Sequence, residues 1–221
     1  MPGRTLAPAV LLDLDGTLVD SRAAIVAGVN QTLAALGAAE RPAESLHPFI
    51  GPPLHTTFAT LLGRHPDDTE LDAIVADYRR RYGDLMLDHT PVFDGVPEAL
   101  DKLVDAGCVL VVATSKARPL AQRLVEGLGL GRRLTAVCGP VPPARDDKAT
   151  TVGHALEAVG GPARAVMVGD RHHDVDGARV HGLACVGVLW GIGDADELTD
   201  AGAASLCRTP QDLADAALAL L

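Results

Sequence analysis

Short runs of consecutive apolar residues recur along the chain at positions 9–14, 108–113, 135–138, 165–168, 184–189 and 204–207. Each is bounded by glycine, proline or polar residues and is rich in valine and leucine, the pattern of strands buried on both faces. Between the later runs the apolar spacing changes to a helical period. Helices are predicted at 97–106, where Pro97 suits a first turn and Gly107 a stop, at 118–128, at 150–159 and at 212–221 after Thr209-Pro210. Strands that alternate with helices of this length imply a parallel sheet covered on both faces. The predicted fold class is α/β, a Rossmann-like core whose functional groups gather at the carboxyl ends of the strands.

One segment breaks the alternation. Between Asp20 and Asp88 no run reads as a strand, while apolar residues recur helically at Ile25, Val26, Val29, Leu33 and Leu36 and again at Leu71, Ile74, Val75, Tyr78, Tyr82 and Leu85. Gly37 and Gly63 read as helix stops, and Pro52-Pro53 as a helix start. The expected organisation is therefore a core domain of residues 1–19 and 89–221, interrupted by an inserted helical domain at 20–88.

Composition narrows the partners. A formal charge of −10 and a pI near 5.1 argue against nucleic acid or an anionic membrane surface, both of which call for basic patches. Aromatic residues make up 3% of the chain, so the core is expected to be aliphatic, with Trp190 and Phe93 as bulky fillers. Cys108, Cys138, Cys185 and Cys207 lie in or beside separate apolar runs and never as CxxC, which reads as small buried hydrophobes in a reducing compartment. The first apolar stretch is cut by Asp13, too short and too acidic for a signal peptide or membrane span, and a cytoplasmic location is expected.

The chemistry concentrates in Asp13-Leu14-Asp15-Gly16-Thr17. A buried strand delivers two carboxylates two positions apart and then breaks at glycine. Alternation would point both the same way, and like charges at 4 Å repel by roughly 4 kcal/mol at an effective dielectric of about 20, so a compensating cation is expected. Mg²⁺ suits oxygen ligands of this kind. One aspartate can then serve as nucleophile and the other as proton donor, although a strand end followed by an Asp-Gly turn is the plainer alternative.

Three further points share that strand context: Val109 to Ser115, an apolar run ending in Thr114-Ser115; Lys148, after a loop rich in Pro, Asp and Arg; and Val166 to Asp174, a run ending in Gly169-Asp170-Arg171-His172-His173-Asp174. In order, context and spacing the four points resemble the haloacid dehalogenase superfamily over essentially the whole chain. The resemblance implies that Asp13 accepts a phosphoryl group and also coordinates Mg²⁺. It implies that Asp15 protonates the leaving oxygen and then activates water, with its backbone carbonyl on the metal. Thr114 and Ser115 would bind phosphate, Lys148 would neutralise Asp13 and the phosphoryl group, and Asp170 would be the third metal ligand. Asp174 could reach the metal's water or the lysine, or cap a helix starting near Val175, and is expected behind the ligands rather than among them. Lys116 stands beside the phosphate-binding pair but fits the catalytic position less well than Lys148, and Arg145 reads as a loop charge. Thr17 reads as a turn-stabilising hydroxyl. His172 and His173, adjacent on a loop, are expected to point apart as surface side chains.

A second aspartate at position 15 sets the chain apart from the superfamily's dehalogenases and phosphonate hydrolases. The helical insert resembles the cap of its phosphoglycolate phosphatase-like branch, and Phe49-Ile50-Gly51-Pro52-Pro53-Leu54 is close to that branch's cap loop. Phe49, Gly51 and Arg79 are the candidate specificity residues, against the plainer readings of Phe49 as a packing residue and Arg79-Arg80-Arg81 as a solvated face. The implied function is a Mg²⁺-dependent phosphomonoesterase acting on a small phosphorylated metabolite of the phosphoglycolate kind, as a monomer or homodimer. The fourth motif and the Gly191-Ile192-Gly193-Asp194 turn with Glu197-Leu198 also resemble 5'-nucleotidases that cleave nucleoside monophosphates, and that alternative stays open. A sugar phosphomutase is disfavoured because Ile25 stands where that branch carries histidine, and a non-catalytic phosphate-binding module is disfavoured by the retained acids and lysine.

Overall fold

The computed structural model describes residues 7–65, 67–144 and 147–221. The chain divides into two compact units, one comprising the residues up to Asp20 together with Val92–Leu221, the other Ser21–Pro91.

The first unit is built on a six-stranded sheet, β1 (Ala9–Leu12), β2 (Val109–Ala113), β3 (Ala136–Cys138), β4 (Ala165–Gly169), β5 (Ala184–Val188) and β6 (Ser205–Cys207), in the order β3-β2-β1-β4-β5-β6 with every pair parallel. Its helices are α5 (Val96–Asp105), α6 (Arg118–Gly127), α7 (Lys148–Ala158), α8 (His172–Val180), α9 (Ala195–Ala201) and α10 (Leu213–Leu218). Strands such as Val-Leu-Val-Val-Ala in β2 are apolar at every position because both faces are covered. Leu11, Val111, Met167 and Cys185 pack on one side with Val152 and Ala155 of α7 and Val175 and Ala178 of α8. Alternation turns Val10, Leu12, Leu110 and Val112 to the other side, where α5 and α10 lie together.

Strand order reverses between β1 and β4, and a crevice opens at such a switch point beyond the carboxyl ends. Register fills it: Leu12 pairs with Val112 on one side and with Val168 on the other. Asp13, Thr114 and Asp170 therefore leave three neighbouring strands side by side.

The starts of two helices show where the sequence expectation falls short for local reasons. The helix expected from 150 begins at Lys148, because Asp147 accepts a hydrogen bond from the Thr150 amide at 2.7 Å and caps it. A short helix not anticipated, α9, is nucleated the same way by Asp194, which accepts from the Glu197 amide at 2.8 Å.

The second unit is helical throughout: α1 (Arg22–Ala35), α2 (Ala43–Leu46), α3 (Leu54–Leu62) and α4 (Glu70–His89), with a short 3₁₀ turn at His47–Phe49. Because α4 runs on to His89, the return to the first unit falls at Val92 rather than at 89. Its core is aromatic, unlike that of the sheet: Phe58 meets Tyr78 edge-to-face with centroids 5.5 Å apart, and Tyr78 stacks on Tyr82 at 5.8 Å. Gly28 lets α1 approach, since a Cβ there would sit 3.1 Å from the Tyr78 ring. Asn30 clips the loop after α1, donating to the Arg41 carbonyl and accepting from its amide, both at 2.9 Å. Among the described residues no helix is long and apolar enough to cross a membrane.

Phe58 is fully buried, so Phe58→Ala should destabilise the helical unit by about 3–5 kcal/mol. Hydrogen exchange should show lost amide protection in α1, α3 and α4 with β1, β2 and β4 still protected. Equal loss in the sheet would mean that the two units unfold as one.

Candidate active site

Three carboxylates and one ammonium group meet at the switch point. Lys148, at the start of α7, places Nζ 2.8 Å from Asp13 Oδ1 and 2.7 Å from Asp174 Oδ1, and donates to the Ala113 carbonyl at 3.1 Å. Its stem lies against α8 where only glycine fits, since a Cβ on Gly177 would stand 2.6 Å from Lys148 Cγ. Asp170 is fully buried and held by two donors, the Thr17 hydroxyl to Oδ1 at 3.2 Å and the Ile192 amide to Oδ2 at 2.8 Å. Gly16, at φ +87°, turns the loop after β1 directly beneath Asp170, and a Cβ there would lie 2.2 Å from Asp170 Oδ2. Asp174, 1% exposed, accepts from the Arg171 amide at 3.1 Å through Oδ2, so the start of α8 aims it inward.

Electrostatics follow from this crowding. Burial pushes the Asp13 carboxyl up from 3.8 to about 6 against the pull of Lys148, with Asp174 and Asp15 adding to the rise. Burial, then the neighbouring charges of Asp174 and Asp13, raise Asp170 to about 8. Burial works against the Lys148 charge, but attraction to Asp13 and Asp174 outweighs it and holds the ammonium above its ordinary value. Ligand oxygens of Asp13, Asp170 and Asp174 lie within 4.8 Å of one another.

The two aspartates after β1, expected to point the same way, face different partners. Asp15 does not turn its carboxylate into this cluster; Oδ2 accepts from Lys116 Nζ at 2.7 Å, and Oδ1 is buried with no hydrogen-bond partner among the described residues. The physical reason is that β1 ends at Leu12, so the alternation that would align Asp13 and Asp15 has already stopped. Asp174, expected behind the ligands and able to reach the lysine, pairs with Lys148 and brings an oxygen to the cluster, and α8 starts at His172 rather than near Val175.

The donor set fits a hard divalent cation. Asp13, Asp170 and Asp174 carry three negative charges when ionised against the one of Lys148, which leaves the complement of one divalent ion. All the ligand atoms are oxygens, the type that Mg²⁺ takes.

Thr114 is buried at the end of β2, and its hydroxyl accepts from the Lys116 amide at 3.2 Å; Ser115 is exposed beside it. His172 and His173 lie on the first turn of α8 and not on a loop, so they do not point apart: their rings stand 3.8 Å centroid to centroid. Burial, with the charges of His172 and Arg171, lowers the His173 value. Glu197 of α9 accepts from Arg171 Nε at 2.8 Å and from the His172 amide at 2.9 Å, fastening the turn that follows Asp170. Arg145 lies outside the described residues. In the helical unit, Phe49 is half-buried at the end of its 3₁₀ turn and Gly51 is exposed at φ +109°. Arg80 and Arg81 both pair with Asp77, whereas Arg79 is half-buried on the same helix.

Against this geometry, the comparisons identify the family. A family model described as haloacid dehalogenase-like hydrolase matches residues 10–188, and the chain belongs to that family. It is 39% identical over 193 residues to a 5'-nucleotidase of Pseudomonas aeruginosa, covering 86% of each chain. It is 34% identical over 200 residues to a phosphoglycolate phosphatase of Agrobacterium fabrum, covering 88% of this chain and 85% of that one. It is also 40% identical over 190 residues to the tyrosine-protein kinase PtkA of Mycobacterium tuberculosis, covering 85% of this chain but 64% of the relative. A crystal structure of a predicted phosphatase from Clostridium acetobutylicum superposes with a TM-score of 0.90 at 31% identity, covering 97% of this chain and all of the other. The chain is a hydrolase with the phosphatase character of this family.

Raised carboxyl values make the metal-free protein sensitive to pH in a definite direction. Asp13 and Asp170 bind protons more tightly folded than unfolded, so their contribution to stability is complete below about 3.8 and is lost as pH rises through about 6 and then about 8. Melting temperature in chelator should fall over that window, and Mg²⁺ should raise it by an increment that grows with pH as protons are displaced. An increment independent of pH would place the cation elsewhere.

Proposed function

We propose that the chain is a Mg²⁺-dependent phosphomonoesterase that turns over through a phosphorylated Asp13. The observation that supports this most directly is the buried cluster of Asp13, Asp170 and Asp174 around Lys148, with Thr114 leaving the adjacent strand. A nucleophilic carboxylate must be kept ionised and aimed, and the Lys148 ammonium does both for Asp13. A phosphoryl group at Asp13 brings more negative charge beside Asp170 and Asp174. Asp13 and Asp170 would hold the cation, with the Asp15 carbonyl as the resemblance implies and Asp174 within reach. When bound, the ion neutralises charge on the phosphoryl oxygens.

The chain's own groups account for the remaining steps. A carboxylate oxygen of Asp13 bonds to phosphorus as the bond from phosphorus to the leaving oxygen breaks, and Asp15 delivers a proton to that oxygen to release an alcohol. Asp15, now ionised, takes a proton from water as the water oxygen bonds to phosphorus. The bond to Asp13 breaks, inorganic phosphate leaves, and both aspartates return to their starting state. Thr114 and the amide of Ser115 bind the non-bridging oxygens, and Lys148 neutralises them.

The substrate is a small phosphorylated metabolite. Relatives named phosphoglycolate phosphatase and 5'-nucleotidase, both matched over most of their length, favour two classes, an acidic short-chain phosphoester and a nucleoside monophosphate. We place selectivity in the helical unit, at Phe49, Gly51 and Arg79, because the sheet contacts recognise what every phosphomonoester shares.

Hydrolysis of an aryl phosphate should vanish in chelator and return with Mg²⁺. Asp13→Asn should abolish turnover while retaining substrate binding by calorimetry. A panel of phosphoglycolate, nucleoside monophosphates and sugar phosphates then assigns the class: a tenfold preference in kcat/KM corresponds to about 1.4 kcal/mol of differential transition-state binding. Full activity in chelator, or an Asp13→Asn protein that still turns over, would falsify the phosphoaspartate reading.

A further inference from the structure

The proposed reaction uses Lys148 and leaves the second buried lysine without a task. The Lys116 side chain is 8% exposed and that of Asp15 16%, and Lys116 Nζ reaches across from the loop after β2 to Asp15 Oδ2 at 2.7 Å. Two restraints fix its backbone. The Lys116 amide donates to the Thr114 hydroxyl at 3.2 Å, and its carbonyl packs so closely on the start of the loop after β3 that a Cβ on Gly139 would lie 2.5 Å from it. The ammonium is therefore delivered from a braced loop rather than carried on a free surface side chain.

We propose that Lys116 is a positioning residue for Asp15, fixing which carboxylate oxygen exchanges the proton. The proposal rests on the reading of Asp15 as proton donor and acceptor. A carboxyl group rotates readily about the bond to its β-carbon, and rotation interchanges its two oxygens. Lys116 engages one of them, Oδ2, by a charge-assisted hydrogen bond and so opposes that rotation. The other, Oδ1, is buried and meets no hydrogen-bond partner among the described residues, which leaves it as the oxygen that carries the proton to the leaving group and takes one back from water. Lys116 touches neither phosphorus nor metal in this account. Its effect on rate passes through the aim of Asp15, and it matters most where the leaving oxygen needs a proton.

Leaving-group dependence provides the test. In the full-length enzyme with Mg²⁺, kcat is measured for an aryl phosphate with a good leaving group and for alkyl phosphates with poor ones, in the parent, Asp15→Asn, Lys116→Met, Lys116→Gln, Lys116→Arg and the Asp15→Asn/Lys116→Met double variant. Each Lys116 change leaves the backbone bond to Thr114 available. The methionine and glutamine variants should lose on the order of tenfold more kcat on alkyl than on aryl phosphates, part of the 10²–10⁴-fold expected of a general acid. Arginine should restore most of the difference, and in the Asp15→Asn background the lysine change should add no further leaving-group effect. Loss by one factor for every leaving group, or full additivity in the double variant, overturns the role of Lys116 while Asp15→Asn still discriminates. If Asp15→Asn itself shows no leaving-group dependence, the reading of Asp15 fails and this proposal with it. Should Lys116→Met fold poorly, as circular dichroism would show, Lys116→Gln carries the same comparison.

Discussion

A single ammonium group set among buried carboxylates is the constraint on which the rest of the site depends. Lys148 reaches Asp13 and Asp174 at once, and both are almost wholly excluded from water. Removing one partner of a buried pair is far more costly than any surface ion pair, about 3–5 kcal/mol against about 0–1, because the remaining charge has no water to turn to. The lysine therefore fixes more than an orientation. It makes it possible for the end of β1 and the start of α8 to bring negative charge together in the interior, and the charge still uncompensated is what a divalent cation would balance. The charge balance of the cluster and the stability of the fold meet in the same four side chains.

The groups that form this site lie far apart in sequence, at 13, 114, 148 and 170–174, and the sheet brings them together through register alone. Leu12 is the common neighbour of Val112 and Val168, so the residues just beyond each strand end emerge in one row. The loops they enter are short of side chains where they cross. Gly16 passes beneath Asp170, and the Trp190–Gly193 segment closes from the other direction, its Ile192 amide donating to the same carboxylate.

Much of this was legible from the residues. Apolar runs without alternation announce a sheet covered on both faces, and the four spaced motifs locate the strand ends where chemistry collects. That the two aspartates face different lysines was not legible. Reading Asp13 and Asp15 as aligned assumes that β1 continues past Leu12, and nothing in a two-residue spacing reveals where a strand stops. Placing His172 and His173 on a loop made the same kind of error, since α8 begins at His172 with no proline or N-cap serine to mark it. Asp174 closes the first turn of α8 by accepting from the Arg171 amide and from there also meets Lys148. Lys116 carried a usable signal in its position two residues after Thr114, but only the fold shows that the loop after β2 faces the loop after β1.

The unequal distribution of aromatic rings between the two units has an optical consequence. Phe49, Phe58 and both tyrosines belong to the helical unit, while Trp190 stands in the sheet unit and donates its indole N–H to the Thr17 carbonyl at 3.0 Å. Thr17 in turn holds Asp170. The protein thus carries a built-in pair of spectrally distinct chromophores, the indole emission reporting on the loop that braces the acidic cluster and the phenolic ultraviolet bands on the packing of α3 and α4. Changes in the loop that braces the acidic cluster and in the packing of the helical insert can be followed in one unlabelled sample, by emission and by ultraviolet absorption.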